Sequence, residues 1–102
     1  MIKLLLEAMP HIEPLCSAHH VKYLAVFGSA VGDRFSPESD VDLLVEFEDG
    51  LSAREYAADF FELKFQLESI LGRPVDLVTA KSLSNPYFRE SVMSEQKALY
   101  AA

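Results

Sequence analysis

A single cysteine, Cys16, is all the thiol chemistry in the chain. One thiol cannot close an internal disulfide, so the fold owes nothing to an oxidising compartment. Basic residues are scarce too: 9 Lys and Arg stand against 16 Asp and Glu, a net charge of −7 with the histidines neutral. That balance opposes unaided binding to a phosphate backbone, where Lys and Arg supply the counterion-release term. It suits a basic protein partner, or bound cations that offset the carboxylates. Long apolar runs are missing as well. The opening MIKLLLEAMPHIE reads like a secretory leader until Glu7 and Pro10 interrupt it. No stretch approaches the roughly 18 apolar residues of a membrane span. A cytoplasmic chain with no membrane and no direct nucleic-acid partner is the expectation. There is also no internal repeat, low-complexity tract or linker. At 102 residues the chain predicts one small domain, 1–102, with no room for a separate substrate-binding domain.

What is present is clear periodicity. Ile2, Leu5, Leu6, Met9, Ile12 and Leu15 recur at helical spacing over residues 2–18, with Pro10 and Pro14 expected to kink or divide that helix. VKYLAVF, residues 21–27, reads as a first strand, apolar enough to be central. VDLLVEF, residues 41–47, reads as a second strand, and Glu48-Asp49-Gly50 as the turn after it. Ser52-Ala53-Arg54-Glu55 fits a capping box and opens a long helix carrying Tyr56, Phe60, Leu63, Leu67, Ile70 and Leu71 on one side, closed by Gly72. PVDLVT, residues 74–79, is a third strand. Asn85-Pro86 caps and starts a short helix through about Met93. The tail KALYAA fits a strand or a helix equally well. The result is an α/β (α+β) domain, a small sheet flanked by helices. Only about thirteen residues join strands one and two. That is too short for a helical crossover, so an antiparallel first pair and a mixed sheet are predicted.

Chemistry concentrates in GSAVGDRFSPESDVD, residues 28–42. Residues two apart on a strand share a face, so Asp40 and Asp42 project together while Val41 points into the core. Adjacent carboxylates repel, and a divalent cation removes that conflict. Mg²⁺ suits all-oxygen ligands and commonly shares its shell with substrate phosphates. Asp76, flanked by apolar residues in the third strand, completes a triad if strand three lies beside strand two. Three carboxylates can hold two metals about 3.5–4 Å apart, the arrangement that supports in-line nucleotidyl displacement. Gly28 lets backbone approach a ligand, and Ser29 can cap a following helix start or bind a phosphate oxygen. Taken singly, each fragment has a blander meaning. Gly-Ser marks an ordinary turn, Asp-x-Asp a solvated strand start, and Asp76 a charge that blunts a sheet edge. Their conjunction in this order is the functional signal.

FGS-x10-DVDLLVEF resembles the signature of the polymerase-β-like nucleotidyltransferase superfamily. More narrowly, nearly the whole chain looks like the minimal nucleotidyltransferases (MNT), the antitoxin halves of type VII-like toxin–antitoxin pairs. The resemblance implies a nucleotidyltransferase fold without an accessory substrate domain. Asp40 and Asp42 would bind two Mg²⁺ ions, and Asp76 would complete one site and help activate the acceptor hydroxyl. Gly28 and Ser29 would hold the nucleoside triphosphate. It implies transfer of AMP from ATP to a hydroxyl, a tyrosine, of a HEPN-domain ribonuclease toxin, within a hetero-oligomer. The chain departs from its relatives where many carry Arg-Gly: it has Gly32-Asp33, which leaves Arg34 as the arginine available to the phosphates. Two other functions fit the same features. One is an antitoxin that neutralises its toxin by contact alone, the other a subunit of a small-molecule nucleotidyltransferase.

Other residues carry plainer readings. His11, His19 and His20 suit surface or capping roles rather than a metal site. Phe60, Phe61 and Phe65 read as core with any excess forming a partner surface. Asn85, Tyr87 and Arg89 fit either a capped surface helix or a wall near the nucleotide. Cys16 reads as a small buried hydrophobe.

Overall fold

A computed structural model describes residues 2–28 and 40–102. Helix α1 (Ile2–Ala18) leads into β1 (Val21–Phe27), and β2 (Val41–Phe47) follows. Then come α2 (Ala53–Leu71), β3 (Val75–Thr79), a 3₁₀ turn (Ala80–Ser82), α3 (Pro86–Glu95) and β4 (Lys97–Ala101). The sheet order is β3-β2-β1-β4. β1 pairs antiparallel with β2 and with β4, and β2 pairs parallel with β3, so the expected mixed sheet is observed.

Alternation along the strands sorts side chains into two layers. Leu24, Val26, Val41, Leu43, Val45, Val75 and Leu77 meet Leu5, Ile12 and Cys16 of α1 and Leu63, Leu67 and Leu71 of α2 in the main core. Each fully buried leucine there contributes about 1.5–3 kcal/mol. Ala25, Phe27 and Leu44 face the other way, against Leu83 and Val92 of α3 and its approach. Cys16 is fully buried, and that burial pushes its thiol up to about 12. It is packing material, as its sequence position suggested.

Helix α2 starts and stops on the residues that its sequence names. Ser52 accepts from Glu55 N while Glu55 reaches back to Ser52 N, and Gly72 adopts a left-handed conformation with its N–H bonded to Glu68 O. Of the two outcomes expected for helix α1, division does not occur: it is one helix through Pro10 and Pro14. Leu6, Pro10 and Pro14 lie four residues apart on an exposed stripe. The carbonyls of Leu6 and Pro10 that lose their partners therefore face water, which satisfies them. The ambiguous tail becomes β4 because β1 has a free edge, and Ala102 N donates to Lys22 O across it. Among the described residues, no helix is long and apolar enough to cross a membrane.

One buried charge escaped the sequence reading. Asp59 on α2 is 9% exposed, the one buried polar residue among the described residues. Both histidines of the α1–β1 turn converge on it. His20 Nδ1–H donates to Oδ2 at 2.9 Å, and His19 Nδ1 lies 3.4 Å from Oδ1. Adjacent residues reach one carboxylate because His20 takes a positive φ of 60°. The Asp59 hydrogen bond raises His20 above the ordinary imidazole value of 6.5, outweighing partial burial, with Asp59, Glu48 and Glu55 adding negative charge. A raised histidine stabilises the fold fully below the unfolded value and loses that contribution as pH rises through the folded one. Thermal unfolding of the wild type should therefore show a lower Tm at pH 8 than at pH 6. His20→Asn, which keeps tolerance for the left-handed backbone, should flatten that slope, and an unchanged slope would remove the latch from the account.

Candidate active site

The carboxylates sit where three strand ends meet. β1 runs antiparallel to β2, so the C-terminal end of β1 adjoins the N-terminal end of β2, and β3 begins beside it. Asp42 pairs in register with Asp76 on one side and with Phe27 on the other. Register partners project to the same face, here the face opposite the main core. Val41 and Val75 point inward, and Val41 N donates to Pro74 O at 3.0 Å, fixing the alignment of the two strand starts. Glu68 at the end of α2 accepts from Val75 N at 3.0 Å and sets where β3 begins.

Asp42 is half-buried, while Asp40 and Asp76 are exposed. Burial raises the Asp42 carboxyl above its usual value, and the charges of Asp76 and then Asp40 raise it further. The three groups are thus close enough to repel. Among the described residues, however, no three ligating side chains already form a closed metal cluster. The donor set is nevertheless the one a hard cation needs: carboxylate oxygens only, with a mutual repulsion that positive charge would relieve.

Gly28 ends β1 at φ +72°, and a Cβ placed on it would collide with Asp42 Oδ2 and lie 3.2 Å from its Cγ. The glycine is therefore required twice, by its backbone conformation and by the carboxylate packed against it. Ser29 and Arg34 lie outside the described residues. Asn85, Tyr87 and Arg89 resolve as follows. Asn85 caps α3 by accepting from Tyr87 N and Phe88 N, Tyr87 is exposed, and Arg89 donates from Nη1 to Ala80 O at 2.9 Å. Beside the carboxylates stands an aromatic pair that no motif announces: Phe27 and Phe88 make an edge contact with ring centroids 6.4 Å apart. A groove of about 420 Å³ lies instead around Val45–Leu51, Thr79–Lys81 and Arg89, at the far ends of β2 and β3. Volume alone would point away from the charged site.

Two outcomes follow from this geometry. Gly28→Ala should cost at least about 1–2 kcal/mol for the left-handed backbone alone, read as a lowered Tm. Asp42→Asn should do the reverse in cation-free buffer. A carboxylate with a raised folded value loses stability as pH rises through that value, because the folded state holds a proton that the unfolded state has released. Removing the charge should raise Tm at pH 7, and a lower Tm would contradict the repulsion.

The sequence profile of the nucleotidyltransferase domain family matches residues 5–99. Protein adenylyltransferase MntA of Thermococcus cleftensis is 39% identical over 85 residues, covering 76% of this chain and 82% of its own. A solved structure provisionally described as a minimal nucleotidyltransferase superposes with a TM-score of 0.74 at 35% identity, over 95% of this chain and 94% of the other. A second, described as a toxin–antitoxin with AMP-PNP, gives a TM-score of 0.69 at 26% identity, over 92% of this chain and 73% of the other. Matched along almost its whole length, the chain belongs to the nucleotidyltransferase domain family, in its minimal form.

Proposed function

We propose that this chain is the antitoxin of a toxin–antitoxin pair and acts by transferring AMP from ATP to a tyrosine hydroxyl of a HEPN-domain toxin. The observation that carries the chemistry is the in-register pair of Asp42 and Asp76, with Asp40 adding to the charge that raises Asp42. Asp40 and Asp76, both exposed, leave carboxylate oxygens accessible to an acceptor presented by another protein. The likeness to an adenylyltransferase and to a toxin–antitoxin complex supports the same assignment.

In this reading Asp40 and Asp42 hold Mg²⁺ with the triphosphate, and Asp76 completes one of two cation sites. Bound Mg²⁺ supplies charge neutralisation at the phosphates. Gly28 keeps the floor of the site low enough for phosphate oxygens to approach Asp42. Ser29 and Arg34 are the further candidates for phosphate contacts. Asp76, exposed on the neighbouring strand, would help activate the incoming hydroxyl, whose proton leaves as the new bond forms. The hydroxyl oxygen bonds to the α-phosphorus, the bond from that phosphorus to the bridging oxygen breaks, and pyrophosphate leaves. Much of the rate comes from positioning the two reactants in one orientation. The acidic surface, with its net charge of −7, suits a basic partner.

Incubation with labelled ATP, Mg²⁺ and the cognate toxin should label the toxin, and chelation should stop it. Asp42→Asn, although folded, should reduce labelling at least about 100-fold. Unlabelled toxin with the wild type, or full labelling by Asp42→Asn, would sink the catalytic assignment. Protection of cells by that inactive variant would point to neutralisation by contact alone.

A further inference from the structure

The nucleotide reading leaves the base without a seat, and the aromatic pair beside the carboxylates is placed to provide one. Phe27 is the register partner of Asp42. Opposed residues on antiparallel strands have Cα atoms about 4.5–5.5 Å apart. Phe27 itself is 4% exposed and packed, whereas Phe88, which leans edge-on against it, is 50% exposed. The ring of Phe88 is thus linked to Asp42 through a single intervening residue, Phe27, and keeps much of its surface open.

That ring is also held. Pro86 begins α3, Asn85 accepts from the backbone N–H of Tyr87 and of Phe88, and the ring contact with Phe27 supports the side chain. A pre-positioned aromatic surface loses little freedom on binding. Tyr87, at 85% exposure, makes no comparable ring contact among the described residues.

We infer that Phe88, braced by Phe27, is the base-stacking platform of the nucleotide site and a positioning residue for the reaction. Stacking on an aromatic face tolerates any base because every base has a π-face. The platform therefore reads the size of the base rather than its hydrogen-bonding edge, favouring purine over pyrimidine nucleoside triphosphates. This rests on the nucleotide assignment above and adds a seat for the base, which the carboxylates alone do not provide.

The test is calorimetric titration of the full chain with Mg²⁺ and ATP, UTP or tripolyphosphate, the last being the same charge without a base. Phe88→Ala should weaken ATP roughly 5- to 150-fold and leave tripolyphosphate unchanged, and Phe88→Trp should bind ATP like the wild type. Phe88→Leu keeps apolar packing on Phe27 but lacks the π-face, so it guards against a folding artefact. It should weaken ATP with tripolyphosphate intact. Equal ATP affinity in Phe88→Leu and wild type, or equal losses of ATP and tripolyphosphate in Phe88→Ala, would overturn the platform. A variant that loses toxin binding while keeping ATP affinity would overturn it too, assigning the ring to the partner. A wild-type chain that binds neither ATP nor tripolyphosphate would instead overturn the nucleotide site itself.

Discussion

The parallel pairing of β2 with β3 is the constraint on which the rest of the site depends. It places Asp42 and Asp76 side by side, two like charges on neighbouring strands, and nothing about the carboxylates favours that arrangement. The opposite face enforces it. Val41, Leu43, Val75 and Leu77 are buried between the sheet and the helices, and a one-residue slip of β3 would turn Val75 and Leu77 out to water. The strand register is thus held by the core, while the repulsion is concentrated on the outer face. A cation is the simplest group to resolve it.

The length of α2 and its caps serve the same end. A parallel pair needs a long connection, and the capped helix between β2 and β3 provides it while adding Leu63, Leu67 and Leu71 to the core. Glu68 accepts the cap bond from Gly72 N on its backbone carbonyl and, three residues on, the bond from Val75 N on its side chain, so the same residue ends the helix and sets the position of Asp76. On the far side, Gly28 lets β1 end against the Asp42 carboxylate. Among the described residues, the groove of about 420 Å³ lies elsewhere, at the far ends of β2 and β3, so volume and charge mark different ends of the sheet.

Legibility varied with how local the deciding interaction is. The capping box of α2, the Gly72 cap and the Asn85-Pro86 start of α3 depend on residues within four positions of each other, and each appears as the sequence predicts. The antiparallel first pair followed from a loop too short for a crossover. The unbroken path of α1 through two prolines depends instead on which side of the helix faces water. The fate of the tail depends on the free edge of β1. Asp59 was unremarked because its partners, His19 and His20, stand some forty residues away and meet it only through an unusual backbone angle at His20.

The sequence by itself determined the types and order of the elements up to the tail, and the presence of Gly28 and Asp40-Val41-Asp42 at strand ends. Those follow from periodicity and spacing along one segment of chain. Only the tertiary structure decided that Asp76 is the register partner of Asp42, that Gly28 touches the Asp42 carboxylate, and that Phe88 packs on Phe27. Each of these joins strands or helices distant in sequence. Such contacts are chosen by burial of the core on the opposite face, which no short motif encodes.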